Sequence, residues 1–134
     1  MTKELLQSAL AEYFAPWVQE LGLRVEAFGA ESVTLRLPQD ARLSRVGGML
    51  CGQAMMAAAD TAMVLALVNQ FGEFKPCTTV QMNSSFLRPL SNQDALVEAR
   101  VVRAGKSLAF GEIDIRGAND GKSVSRASVT YALL

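Results

Sequence analysis

No histidine occurs in the chain. That absence removes Ser-His-Asp and Cys-His nucleophilic catalysis, imidazole metal sites and the histidine-plus-acid pairs of many dehydratases. Cysteine is scarce as well: Cys51 and Cys77 stand alone, so no CxxC redox or zinc pair can form. There is no phosphate-binding loop and no dinucleotide glycine fingerprint. Neither sign of charge dominates. Lys plus Arg and Asp plus Glu number 13 each and are dispersed, so no basic field marks a nucleic-acid partner and no acidic tail marks a solvating segment. The opening residues Met1-Thr2-Lys3-Glu4-Leu5-Leu6-Gln7 lack an apolar signal core, and the expectation is a cytoplasmic protein with two free thiols. With 134 residues, the chain suits one domain spanning 1–134, burying about two thirds of its unfolded surface.

What is present is one long apolar stretch, residues 49–68, with a single charge, Asp60, near its middle. A helix drawn through it has no polar face and must be buried on every side. It reaches the roughly 20 residues of a membrane span, but a central Asp costs on the order of 3 kcal/mol there. The remainder reads as soluble strands, so no membrane association is expected. The picture is a sheet curled around a central helix, with the carboxylate deep inside.

Ahead of that stretch, Leu6, Leu10, Tyr13, Phe14, Trp17, Val18 and Leu21 recur at helical spacing, giving an amphipathic N-terminal helix that Pro16 kinks or divides. Residues 23–28 and 32–37 alternate apolar and polar across Gly29-Ala30, the pattern of a strand pair with a tight turn. Residues 39–48, with Gly47-Gly48, read as the loop feeding the central helix. Behind it, 78–88, 95–103, 108–116 and 123–133 read as four antiparallel strands, their turns marked by a polar loop at 89–94, by Ala104-Gly105-Lys106 and by Asn119-Asp120-Gly121. This is an α+β layout.

Asp60 is the residue that calls for a reason. A carboxylate in hydrocarbon costs several kcal/mol unless it is paired or reached by a cleft. It could bond backbone groups at a bend in the sheet, but a carboxylate held partly out of water also suits proton abstraction or nucleophilic attack near neutral pH. Gly48 and Gly52 bracket Cys51 at the helix start, where unpaired N–H groups and the positive dipole end lie. Those glycines either admit a ligand to the backbone or simply let the helix begin close to a sheet.

The run Cys51-Gly52-Gln53-Ala54-Met55-Met56-Ala57-Ala58-Ala59-Asp60-Thr61-Ala62 resembles the hotdog-fold acyl-CoA thioesterases, in particular the phenylacetic-acid-degradation type. The likeness extends to Leu21-Gly22-Leu23-Arg24-Val25, Asn83-Ser84-Ser85-Phe86-Leu87-Arg88-Pro89, Arg103-Ala104-Gly105-Lys106-Ser107 and Ala127-Ser128-Val129-Thr130-Tyr131. It implies a hotdog fold, an antiparallel sheet wrapped around a long central helix, and hydrolysis of an aryl- or medium-chain acyl-CoA with no metal or redox cofactor, coenzyme A being part of the substrate. By the same likeness, Asp60 matches the catalytic carboxylate and Gly52 the glycine whose N–H polarises the thioester carbonyl. Cys51 stands where many relatives have histidine, Gln53 where they have a second glycine, Arg45 where they often offer an amide, and Val64 where some carry a hydroxyl. Asn83 and Ser85 are candidates for lining the pocket, and Arg88, Arg103, Lys106 and Ser107 for holding the CoA phosphates. A non-catalytic acyl-CoA or acyl-carrier binding protein on the same scaffold is the alternative.

Gly52 and Asp60 are two helical turns apart, roughly 12 Å at the α-helical rise. Both cannot touch one carbonyl within one chain. A two-fold homodimer that sets the start of one helix near the middle of the other solves this, alone or within a dimer of dimers.

Overall fold

A computed structural model describes residues 1–134. The N-terminal segment divides where Pro16 dictates: α1 (Lys3–Glu12) is capped by Thr2, whose hydroxyl accepts the Leu5 N–H at 3.1 Å, and α2 (Pro16–Gln19) starts on the proline itself. Ala15 between them is extended, as a residue before proline prefers. Leu6, Ala9 and Leu10 bury one face of α1, whereas α2 buries nothing fully and leaves Trp17 62% exposed.

Six strands form one sheet. They are β1 (Arg24–Phe28), β2 (Ser32–Leu37), β5 (Cys77–Phe86), β6 (Ala95–Ala104), β7 (Leu108–Gly117) and β8 (Ser123–Leu133), in the order β1-β2-β6-β7-β8-β5, every neighbouring pair antiparallel. β1 and β5 are therefore the edges. Alternation sorts the two faces: Val33, Leu35, Val97, Ala99, Ile113 and Ile115 are buried toward the helix. On the outer face, ion pairs such as Arg116–Glu98 at 3.1 Å and Arg126–Asp114 at 3.5 Å run across the strands. The loop at 39–48 holds more order than its composition suggests, a 3₁₀ turn at Ala41–Leu43 and a two-residue ladder of β3 (Ser44–Arg45) with β4 (Met49–Leu50). Gly47 and Gly48 close that ladder with positive φ of 101° and 81°, and Gly48 has open space around it; turn geometry explains these glycines.

The central helix, α3 (Gly52–Phe71), starts three residues later than the apolar run, because Met49 and Leu50 are strand and Cys51 is the cap. It ends on Gly72 in the left-handed conformation, whose N–H bonds the Val68 carbonyl at 2.9 Å. From Ala58 to Val68 nearly every residue is buried against the sheet and α1, as an apolar circumference demands. This is the hotdog arrangement, and α3, although long and apolar enough to cross a membrane, is its core.

Helix and sheet come into close contact at Gly111 of β7. A Cβ there would overlap the Met63 sulfur, itself fully buried, and lie 3.1 Å from the Arg100 carbonyl oxygen. Overpacking of this kind costs about 1–3 kcal/mol. Gly111→Ala is expected to lower the urea midpoint of unfolding with the slope unchanged; an unshifted midpoint would mean that Met63 finds another rotamer at no cost.

Candidate active site

Asp60 lies halfway along α3, on the side that faces β5 and β8. Its Oδ1 accepts the Thr79 hydroxyl at 2.9 Å and the Tyr131 phenol at 2.5 Å, and the same phenol lies 3.1 Å from the Asp60 main-chain oxygen. Oδ2 has no partner within the chain. Thr79 and Tyr131 stand directly opposite one another in the β5–β8 ladder, just before an irregularity between Thr79 and Gln81 that leaves Val80 58% exposed. A bulge beside a site commonly re-aims a side chain, and here it turns Thr79 toward the helix. Tyr131 is only 2% exposed; burial, then its hydrogen bond to Asp60 and that residue's charge, push the phenol well above its ordinary range, so it stays a neutral donor. Half-buried Cys77 is pushed up by burial first and by the Asp60 charge second.

The carboxylate is half-buried at the wall of an open groove of about 290 Å³, not deep inside as expected. The reason is coverage: the sheet packs on α3 mainly through its central strands, and edge strand β5 leaves one strip of helix open. Gln53 and Met56 on that strip are exposed, and Ala57 and Asp60 half-buried. Opposite Asp60 the N-terminal segment supplies an aromatic wall of Tyr13, Phe14 and Trp17, with Phe74, whose ring stacks on Tyr13 at 4.1 Å between centroids. Val64, one turn beyond Asp60, lines the same groove.

At the other end of this strip, Gly52 is the first residue of α3 and its N–H has no partner within the chain, as the first helical positions require. Cys51 is the N-cap, its sulfur accepting the Ala54 N–H at 3.4 Å, and it lines a second cavity of about 300 Å³ with Trp17, Arg42 and Leu43. The Phe86 ring lies against Gly52. Arg45 is exposed on β3. Asn83 and Ser85 point away from Asp60, alternating with half-buried Met82 and Ser84, and line a polar groove on the outer face of the sheet with Arg100, Asp114 and Arg126. Arg103, Lys106 and Ser107 are exposed at the β6–β7 turn, the sheet end where β5 begins: the Ser107 carbonyl accepts the Leu133 N–H, and that of Pro76 the Leu134 N–H. Arg88 is exposed just beyond the opposite end of β5. One chain therefore brings none of these cations to Asp60.

What gathers around the carboxylate is Thr79, Tyr131 and the aromatic wall, none of them singled out from sequence as site residues. Tyr131 carried a signal. It shares strand parity with the inward Ala127 and Val129, and a phenol on the core side of a sheet needs a polar partner, of which α3 offers one charged example.

The model of the thioesterase superfamily matches residues 47–124. Among solved structures, the thioesterase HI1161 of Haemophilus influenzae superposes with a TM-score of 0.89 at 25% identity, covering 100% of this chain and 91% of that one. A variant of the thioesterase PA1618 of Pseudomonas aeruginosa superposes with a TM-score of 0.87 at 26% identity, covering 100% and 94%. In sequence, PA1618 is 30% identical over 116 residues, 85% of this chain and 79% of that protein.

The raised Cys77 thiol gives an independent check of this environment. In a Cys51→Ser background, iodoacetamide should modify Cys77 more slowly than a free thiol at the same pH, because less of it is thiolate. Asp60→Asn should speed the reaction only partly, since burial is the larger cause. An unchanged rate would show that the Asp60 charge does not reach Cys77.

Proposed function

Because the chain belongs to the thioesterase superfamily, we propose that it hydrolyses an aryl- or medium-chain acyl-CoA, with Asp60 supplying the reacting carboxylate. The observation that carries this reading is a carboxylate with one oxygen held by two hydroxyls and the other unpartnered, set in an apolar groove. Water adds to the thioester carbonyl carbon while Asp60 takes its proton; the tetrahedral intermediate then expels the CoA thiolate, which is reprotonated. Direct attack by Asp60 forms a mixed anhydride and releases the same thiolate, and water then cleaves the anhydride. In either course a developing oxyanion needs a donor, and the unpaired Gly52 N–H at the positive end of α3 suits that role. The aromatic wall supports an aryl acyl group, and the central motif supports the phenylacetic-acid-degradation type within the superfamily.

Gly52 and Asp60 of one chain cannot serve one carbonyl, so the proposed unit is a homodimer, alone or paired into a tetramer, in which each site takes its carboxylate from one copy and its N–H from the other. The open strip on α3 and the exposed Val80, Phe86 and Leu87 at the unpaired β5 edge support this assembly. Arg88, Arg103 and Lys106, with Ser107, are proposed to hold the CoA phosphates at the mouth.

Asp60→Asn is expected to cut hydrolysis of a panel of acyl-CoAs by about 10²- to 10⁴-fold with the fold and assembly intact. Turnover within a few-fold of the wild type would remove Asp60 from the chemistry. A wild type that binds acyl-CoAs and hydrolyses none of them would instead be a binding protein on this scaffold.

Sharing of the site is tested by complementation. Gly52 is the first helical position, where proline is tolerated, so Gly52→Pro removes the donor without breaking α3. Each of Asp60→Asn and Gly52→Pro alone should be inactive, and their mixed dimer should recover one working site of two. A folded mixed dimer as inactive as its parents would place the site within one chain.

A further inference from the structure

We propose that Tyr131 is a positioning residue for this site: from β8 its phenol donates to Oδ1 of Asp60, close beside that residue's main-chain carbonyl, and leaves Oδ2 as the oxygen that meets the substrate. The inference rests on the thioesterase reading but is drawn from the geometry around the carboxylate. An aspartate with both oxygens free turns about a broad, two-fold torsion, so neither oxygen is reserved for reaction. Here Thr79 and Tyr131 both bond Oδ1, at 2.9 and 2.5 Å, and the symmetry between the oxygens is broken.

The two donors are not equivalent. Thr79 is exposed and sits on edge strand β5, beside the irregularity at Val80. Tyr131 sits on β8, hydrogen-bonded on both sides by β7 and β5, with its ring in the core. A stiff aromatic anchored this way sets the position of its hydroxyl more tightly than a short side chain on an edge, and groups fixed by packing hold a reacting atom most accurately. The one phenol proton is shared unequally, donated mainly to Oδ1, with the Asp60 carbonyl oxygen 3.1 Å away as the longer arm, so the phenol sits against both the side chain and the backbone of α3 at this point. No Lys, Arg or Glu lines the groove; its other ionisable groups are Cys77 on β5 and Tyr13 beyond α1. Hydroxyl donors are thus what steadies the Asp60 charge.

Tyr131→Phe keeps the ring and removes the clamp. We expect kcat on an acyl-CoA to fall about 10- to 100-fold, with KM changing less than about threefold, as for loss of orientation at the reacting group. Unchanged kcat overturns the proposal, as does a lower melting temperature with kcat intact, which would assign Tyr131 to packing alone. The hydroxyl proton of Tyr131 makes the comparison without turnover: held by Oδ1 it should give a slowly exchanging, downfield ¹H signal that Asp60→Ala removes, and the lack of such a signal overturns the clamp. A wild type with that hydroxyl signal but no activity on any thioester would leave the clamp standing and refute the thioesterase reading.

Discussion

A helix with no polar face has to be covered, and a single six-stranded sheet cannot reach all the way around it. The central strands and α1 cover most of α3, and the remainder is the strip that runs from Gln53 past Met56 and Ala57 to Asp60, beside the unpaired edge of β5. Edge strand and open strip are two aspects of one incomplete enclosure. The N-terminal segment partly closes the gap, and where it does so imperfectly a groove remains. The one charge on the helix is placed at that gap, where a carboxylate can keep contact with solvent and still take hydrogen bonds from the sheet.

The missing histidine shapes the other end of the strip. A cysteine at the start of α3 caps the helix weakly, since its sulfur is a poor acceptor, and it bonds the Ala54 N–H while leaving that of Gly52 unpaired. No imidazole competes for the proton-transfer role in the proposed reaction, which therefore falls on the Asp60 carboxylate alone. The quality of its positioning matters more in such a site than where a second base shares the work.

Most of the architecture was legible in the sequence because two periods carry it. The alternation in 95–103 and 108–116 and the turn residues between them fixed β6 and β7 to within a residue at each end, and Pro16 marked the break between α1 and α2. The depth of Asp60 was not legible, because an all-round apolar helix gives no sign of which side the sheet leaves open. Thr79 was hidden for a different reason. Strand parity counted back from inward Met82 turns Thr79 outward, and only the irregularity at Val80, which has no sequence signature here, reverses it. Where the ladder is regular, the same parity turns Asn83 and Ser85 away from Met82 onto the outer, charged face of the sheet, and not into the pocket they were expected to line.

The positions of the cations bear on how two copies would meet. Within one chain Arg88 lies past one end of β5, while Arg103 and Lys106 lie at the other, about 30 Å away for a ten-residue strand. They cannot bind the same phosphate group. If two copies join along β5, a two-fold axis runs the paired edges antiparallel, and the Arg88 end of each strand comes to the end of the other at which Arg103 and Lys106 stand. In the proposed dimer, the rotation that would carry the start of one α3 toward the middle of its copy would also bring the cations toward each other, one group for each proposed site. A parallel or displaced pairing would do neither. The separation of Gly52 from Asp60 and that of Arg88 from Lys106, taken from different elements, are both met by the one symmetry proposed.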